Sequence, residues 1–156
     1  MYTSPTYGQL KIEEVQQKVS EFMSQNKTAT YKVIVGSDSQ KIKGNGYDFV
    51  NALVIHRVGH GGIYFWKRNI VDQKMSLKER MYREALLSIQ SAEDIFSLFK
   101  TNGISKYNIE IHVDIGRNGE TREMIQELVG MVRGNGYDVK IKPDSFGASK
   151  VADRHT

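Results

Sequence analysis

The chain has no cysteine among its 156 residues. That excludes a disulfide framework, a thiolate metal site and a cysteine nucleophile, and it fits a reducing compartment, so a cytoplasmic location is expected. No stretch approaches the roughly 20 apolar residues of a membrane span. The opening, MYTSPTYGQL, has neither a basic start nor an apolar run, so no signal peptide is expected. No pair of histidines has zinc-ligand spacing, and no glycine cluster leads into a helix as a phosphate loop must. Serines flank Asp38, but no His–Asp arrangement marks a base that could make one a nucleophile.

What is present is an ordinary globular composition, 39% hydrophobic and 26% charged, long enough for one domain with a full core. A net charge of +4 and a pI near 9.2 lean towards polyanionic partners. No repeat or linker interrupts the chain. Residues 1–8 are expected to be loose, with one domain over 9–156 made of an added helix (9–26) and a core (30–156). Ile12, Val15, Val19, Phe22 and Met23 recur at three and four and give that helix its apolar face.

Tyr31–Gln40, YKVIVGSDSQ, reads as a buried strand ending in Asp38. Glycine-marked turns then separate strands over 47–58 and 63–71, forming a meander with the first. Ser76 opens a long helix through a capping box with Glu79, and Leu77, Met81, Ala85, Ile89, Ala92, Phe96 and Phe99 form its core stripe. A fourth strand, 107–114, alternates Ile109, Ile111 and Val113 with Glu110, His112 and Asp114. Asn118 caps a further helix, a fifth strand spans 139–142, and Ser145–Thr156 reads as a short terminal helix. The late helices occupy crossover positions between parallel strands, so the fourth strand should lie parallel to the first. Asp38 and Asp114 would then emerge together at the carboxyl edge of the sheet, where open α/β folds bind ligands.

Read alone, each acid has two readings. Asp38 serves a turn as well as a ligand set, and Asp114 could be a loop acid. Glu84 borders the buried stripe of the long helix, whereas Glu79 is more simply its cap. Asp153 lies among small and basic residues, where a surface ion pair is the alternative. His112 fits a core or supporting histidine, and His155 lies close enough to Asp153 to assist at a site. Lys41 and Lys43 follow Asp38; Arg117 follows Asp114; Lys150 and Arg154 flank Asp153. These cations are candidates to bind a phosphate backbone, or they are a solvated surface. Tyr47, Tyr64 and Trp66 could stack on bases or pack in the core.

VGSDSQ, HVDIGRNGET, KIKPDS and ASKVADR, set in this order of elements, resemble the ribonuclease H-like superfamily, and within it the YkuK-type bacterial proteins. The resemblance covers roughly residues 30–156. It implies an α/β, three-layer fold with a five-stranded mixed sheet in the order 3-2-1-4-5. It also implies four metal-binding carboxylates: Asp38, Glu84, Asp114 and Asp153. In the superfamily such acids hold two divalent ions, Mg²⁺ or Mn²⁺, that drive phosphodiester hydrolysis, so a nuclease acting on RNA or DNA is one expectation. A nucleic-acid-binding module with little or no catalysis is the other, since fold does not fix function. The terminal helix is very short after Asp153, and a basic insertion of the kind some hybrid nucleases carry is missing, so an RNA–DNA hybrid substrate does not follow.

Overall fold

The central long strand, Tyr47–Arg57, is buried continuously from Tyr47 to Leu53, as expected of a strand covered on both faces. The structure, a computed structural model, describes residues 1–99, 109–115, 122–142, 144 and 155. Its elements are β1 (Tyr2–Ser4), β2 (Gly8–Leu10), α1 (Ile12–Ser24), β3 (Tyr31–Lys41), β4 (Tyr47–Arg57), β5 (Gly62–Val71), α2 (Leu77–Phe99), β6 (Ile109–His112), α3 (Ile125–Gly134) and β7 (Asp138–Lys140). A 3₁₀ turn, Arg122–Met124, leads into α3.

The strands form one mixed sheet in the order β2-β1-β5-β4-β3-β6-β7. Its last five positions reproduce the expected 3-2-1-4-5 order. The antiparallel meander β3-β4-β5 is continuous, and β6 and β7 add in parallel. The sheet has seven strands, however, rather than five. The two extra strands are a hairpin within the first ten residues, which joins the edge of β5 where Thr3 meets Trp66. The expectation of a loose N-terminus through residue 8 is therefore corrected for these strands. Tyr2 and Leu10 are buried in the main core, and the Ser4 hydroxyl takes the Thr6 and Tyr7 amides to close the turn. Three-residue strands carry too little alternation to be read from sequence.

Leu10 thus belongs to a strand, and the first helix starts only at Ile12, inside the 9–26 expected. It also adds no layer of its own. Val15, Val19 and Phe22 share one core with Ala85, Ala92 and Ile95 of α2 and Leu128 and Val132 of α3. The described helices therefore line one face of the sheet. Arg57 of β4 ties the end of α1 down, donating to the Phe22 carbonyl at 2.7 Å and lying 4.1 Å over the Phe22 ring. On the other face, Val50 and Ala52 pack with Ile34, Val54 and Trp66. The expected terminal helix, which would make the third layer, lies outside the described residues apart from His155, as does the Asn118 cap. No described helix is long and apolar enough to cross a membrane.

Candidate functional site

The site is built where β3 loses one of its two neighbours. β4 follows β3 along its whole length, from Tyr31 opposite Arg57 to Lys41 opposite Tyr47. β6 follows only from Val33 to Gly36, whose partner is His112. Asp38 was expected at a strand end. It lies three residues inside β3, but it stands two residues past the end of the parallel pairing. Asp114 lies two residues past His112 as Asp38 lies two past Gly36, and alternation along β3 turns Asp38 to the face opposite Ser37 and Ser39.

Ser37 and Ser39 take the other face, towards α2. The Ser37 hydroxyl lies 2.8 Å from that of Ser88, and the Ser39 hydroxyl donates to Glu84 at 2.6 Å. Ser37, Glu84, Ser88, His112 and Asp114 line a narrow cleft here. Glu84 is 4% exposed, a rare state for a carboxyl group. Burial raises its pKa from an ordinary 4.5 to about 8. The Ser39 hydrogen bond opposes that rise, the negative charges of Asp38 and Asp114 add to it, and Arg80 opposes it. The charges of Asp38 and Asp114 thus both act on Glu84.

Arg80, one turn before Glu84, reaches the same strand. Its guanidinium donates to the Ser39 carbonyl at 2.9 Å and to the Ser39 hydroxyl at 3.2 Å. The Lys142 ammonium stands 3.0 Å from Asp114. Both cations lower the net negative charge of the crevice. His112 is buried, and burial lowers its pKa against the pull of the Glu110 carboxylate, 3.3 Å away.

The other expected site residues stand elsewhere. Glu79 caps α2: its amide donates to the Ser76 hydroxyl at 3.1 Å, and that hydroxyl donates to the Glu79 carboxylate rather than the carboxylate returning to the Ser76 amide. Lys41 and Lys43 are exposed at the end of β3 and in the following turn. His155 stacks on Trp66 with ring centroids 4.4 Å apart, bonds Tyr64 through Nε2, and accepts from Arg68 at its carbonyl. That perch is on β5, two strands from Asp38. Asp153, Arg117, Lys150 and Arg154 lie outside the described residues.

Sequence reasoning weighed the serines flanking Asp38 only as nucleophiles and passed over the buried polar side of α2. Glu84, Ser88 and Ser91 recur at four and three on that helix, flanking Ala85 and Ala92, and all three are buried. The signal was present as a helical period, but serine reads as solvent-facing until its partners are known.

The donor chemistry of Asp38, Glu84 and Asp114 is oxygen only, which fits a hard divalent ion such as Mg²⁺ or Mn²⁺. A raised pKa on a buried carboxyl beside two others is also what a cation would relieve. Among the described residues, however, no group of three or more His, Asp or Glu is drawn close enough together to hold an ion.

Residues 14–156 match the ribonuclease H-like family. The uncharacterized protein YkuK of Bacillus subtilis (strain 168) is 31% identical over 161 aligned residues, covering 96% of this chain and 92% of that protein. No solved structure matches the sequence significantly. With the sheet order, the crevice and these matches in agreement, the chain belongs to the ribonuclease H-like family and, within it, to the YkuK type.

Proposed function

We propose that this protein is a divalent-metal-dependent nuclease that cleaves phosphodiester bonds of RNA or DNA. The observation that carries the reading is Glu84: a carboxyl group buried between sheet and helix, at the mouth of a crevice, with Asp38 and Asp114 acting on it. A fold gains nothing in stability from gathering like charges around a buried acid, so the arrangement points to a cationic ligand. Family membership supports a role in nucleic-acid chemistry in general.

Asp38, Glu84, Asp114 and Asp153 would hold two ions, Mg²⁺ or Mn²⁺. When bound, such ions activate a water and stabilise the leaving oxygen. The chain's own residues position and balance the acids. Ser39 holds Glu84 through a hydrogen bond, Arg80 locks Ser39, and Lys142 pairs with Asp114. Lys41 and Lys43, exposed beyond Asp38, are placed to meet a phosphate backbone entering from that side, with Arg117, Lys150 and Arg154 as further candidates.

One observation favours a second reading, a nucleic-acid-binding module with little catalysis. Arg80 and Lys142 already bring positive charge to the crevice. The test is a screen of labelled RNA, DNA and hybrid substrates with Mn²⁺, with Asp38→Asn as control. Mn²⁺-dependent cleavage that Asp38→Asn abolishes supports the nuclease. Binding without cleavage selects the module, and cleavage surviving the substitution overturns the site.

A further inference from the structure

A strand that loses a neighbour loses hydrogen bonds from one edge and becomes free to shift. β3 loses β6 after Gly36, two residues before Asp38. Its next residues are held instead by a chain of buried side chains. Asn51 of β4 lies directly opposite Ser37. Its amide group donates to the Ser37 hydroxyl at 2.8 Å and to the Gly36 carbonyl at 3.3 Å. Its carbonyl accepts from the Ser91 hydroxyl of α2. Ser88 meets Ser37 from the same helix at 2.8 Å, and the Tyr2 hydroxyl lies 3.1 Å from Ser91. Ser37, Asn51, Ser88, Ser91 and Tyr2 are each 4% exposed or less.

Five buried polar side chains are an expensive way to fill a core, since apolar groups of the same shape need no partners. Here they converge on the backbone of Gly36 and the side chain of Ser37, the residues immediately before Asp38. Asn51 is the one member that can do this. A side-chain amide has two donor hydrogens and an acceptor, so it spans strand and helix together.

We infer that Asn51 is a positioning residue that fixes the Ser37–Ser39 segment of β3, and with it Asp38, where the ladder to β6 ends. Ser91 orients its amide, and Tyr2 closes the chain from the N-terminal hairpin. The positioning itself rests on the hydrogen bonds; its bearing on metal binding rests on the function proposed above.

The test uses the full chain and two readouts. The first is amide hydrogen exchange by NMR in EDTA, comparing residues 37–39 with residues 33–35 of the same strand. Asn51→Ala is expected to speed exchange at 37–39 about tenfold and to leave 33–35 unchanged, because only local bonds are lost. Ser91→Ala, which removes one bond to the amide, should act at the same residues by about threefold. Should Asn51→Ala fail to fold, the Ser91→Ala pattern decides alone. Uniform acceleration across the sheet, or no change at 37–39, overturns the inference and marks the network as general core. The second readout is Mn²⁺ affinity by calorimetry, expected to weaken about tenfold in Asn51→Ala, as for groups that orient ligands. Local exchange effects in a parent that binds no Mn²⁺ would uphold the positioning and defeat the metal reading instead.

Discussion

The two halves of β3 are held by different physics. From Val33 to Gly36 the strand has hydrogen-bonded neighbours on both edges, and Val33 and Val35 are buried in the main core. From Ser37 to Lys41 its strand neighbour among the described residues is β4, and side chains also contact it: Ser88 and Asn51 on Ser37, Glu84 and Arg80 on Ser39. The first half packs apolar side chains, Val33 and Val35, into the core, and the second half buries the polar side chains of Ser37 and Ser39. Asp38 sits just past the transition, and its charge acts on Glu84.

The sharpest test of this contrast is metal binding, which only the second half should affect. A ligand that binds the native state alone at one hundred times its Kd adds about 2.7 kcal/mol. For a chain of this size that raises Tm by about 5–10 °C. Mn²⁺ should produce that rise in the parent by differential scanning fluorimetry and none in Asp114→Asn. A parent unmoved by Mn²⁺ would falsify the proposed ligand set.

Val35→Ala probes the first half. It opens a cavity at a fully buried position and should cost about 2 kcal/mol in urea unfolding. The Mn²⁺ increment in Tm should survive it. If that increment disappears, the two halves are not separable.

Glu84 gives a pH signature. Its folded pKa, about 8, lies above the ordinary 4.5, so between these values the native state holds a proton that the unfolded chain has released. Unfolding then releases a proton, and rising pH favours the unfolded chain. The stability this group contributes is complete below about pH 4.5, falls across the interval and is lost above about pH 8. In EDTA, the parent should therefore lose about 3 kcal/mol more than Glu84→Gln between pH 5 and pH 8. Parallel pH profiles for the two proteins would show that Glu84 ionises normally.

Ser39→Ala removes the hydrogen bond that opposes the rise in Glu84's pKa. It should cost about 1 kcal/mol and move the Glu84 titration, followed by carboxyl NMR shifts, to higher pH. A titration left in place would mean that Ser39 does not set the charge of Glu84. The smallest effect belongs to Lys142→Ala. Its ion pair with Asp114 is well exposed and should be worth under about 0.5 kcal/mol in urea unfolding.

The order of the core strands was legible because it follows from periodicity and connection rules. A meander must be antiparallel, and a helix between strands implies a parallel crossover. The parallel pairing of the strands that carry Asp38 and Asp114 was legible for the same reason. Glu84 could be placed only at the border of a helical stripe, with Glu79 as rival. Its burial separates them, because Glu79 is exposed and engaged at the cap while Glu84 faces Ser39. The N-terminal hairpin was illegible: strands of three residues show no period, and their stability comes from Tyr2 and Leu10 entering a core assembled from distant segments.

The sequence by itself determined the main local elements and the family. It did so because amphipathic period, turn residues and motif spacing are properties of neighbouring residues. Tertiary structure alone decided where β6 leaves β3, which serines and which asparagine are buried, and which glutamate carries a shifted pKa. Desolvation and hydrogen-bond partners come from residues 40 to 90 positions apart, and no local pattern encodes them.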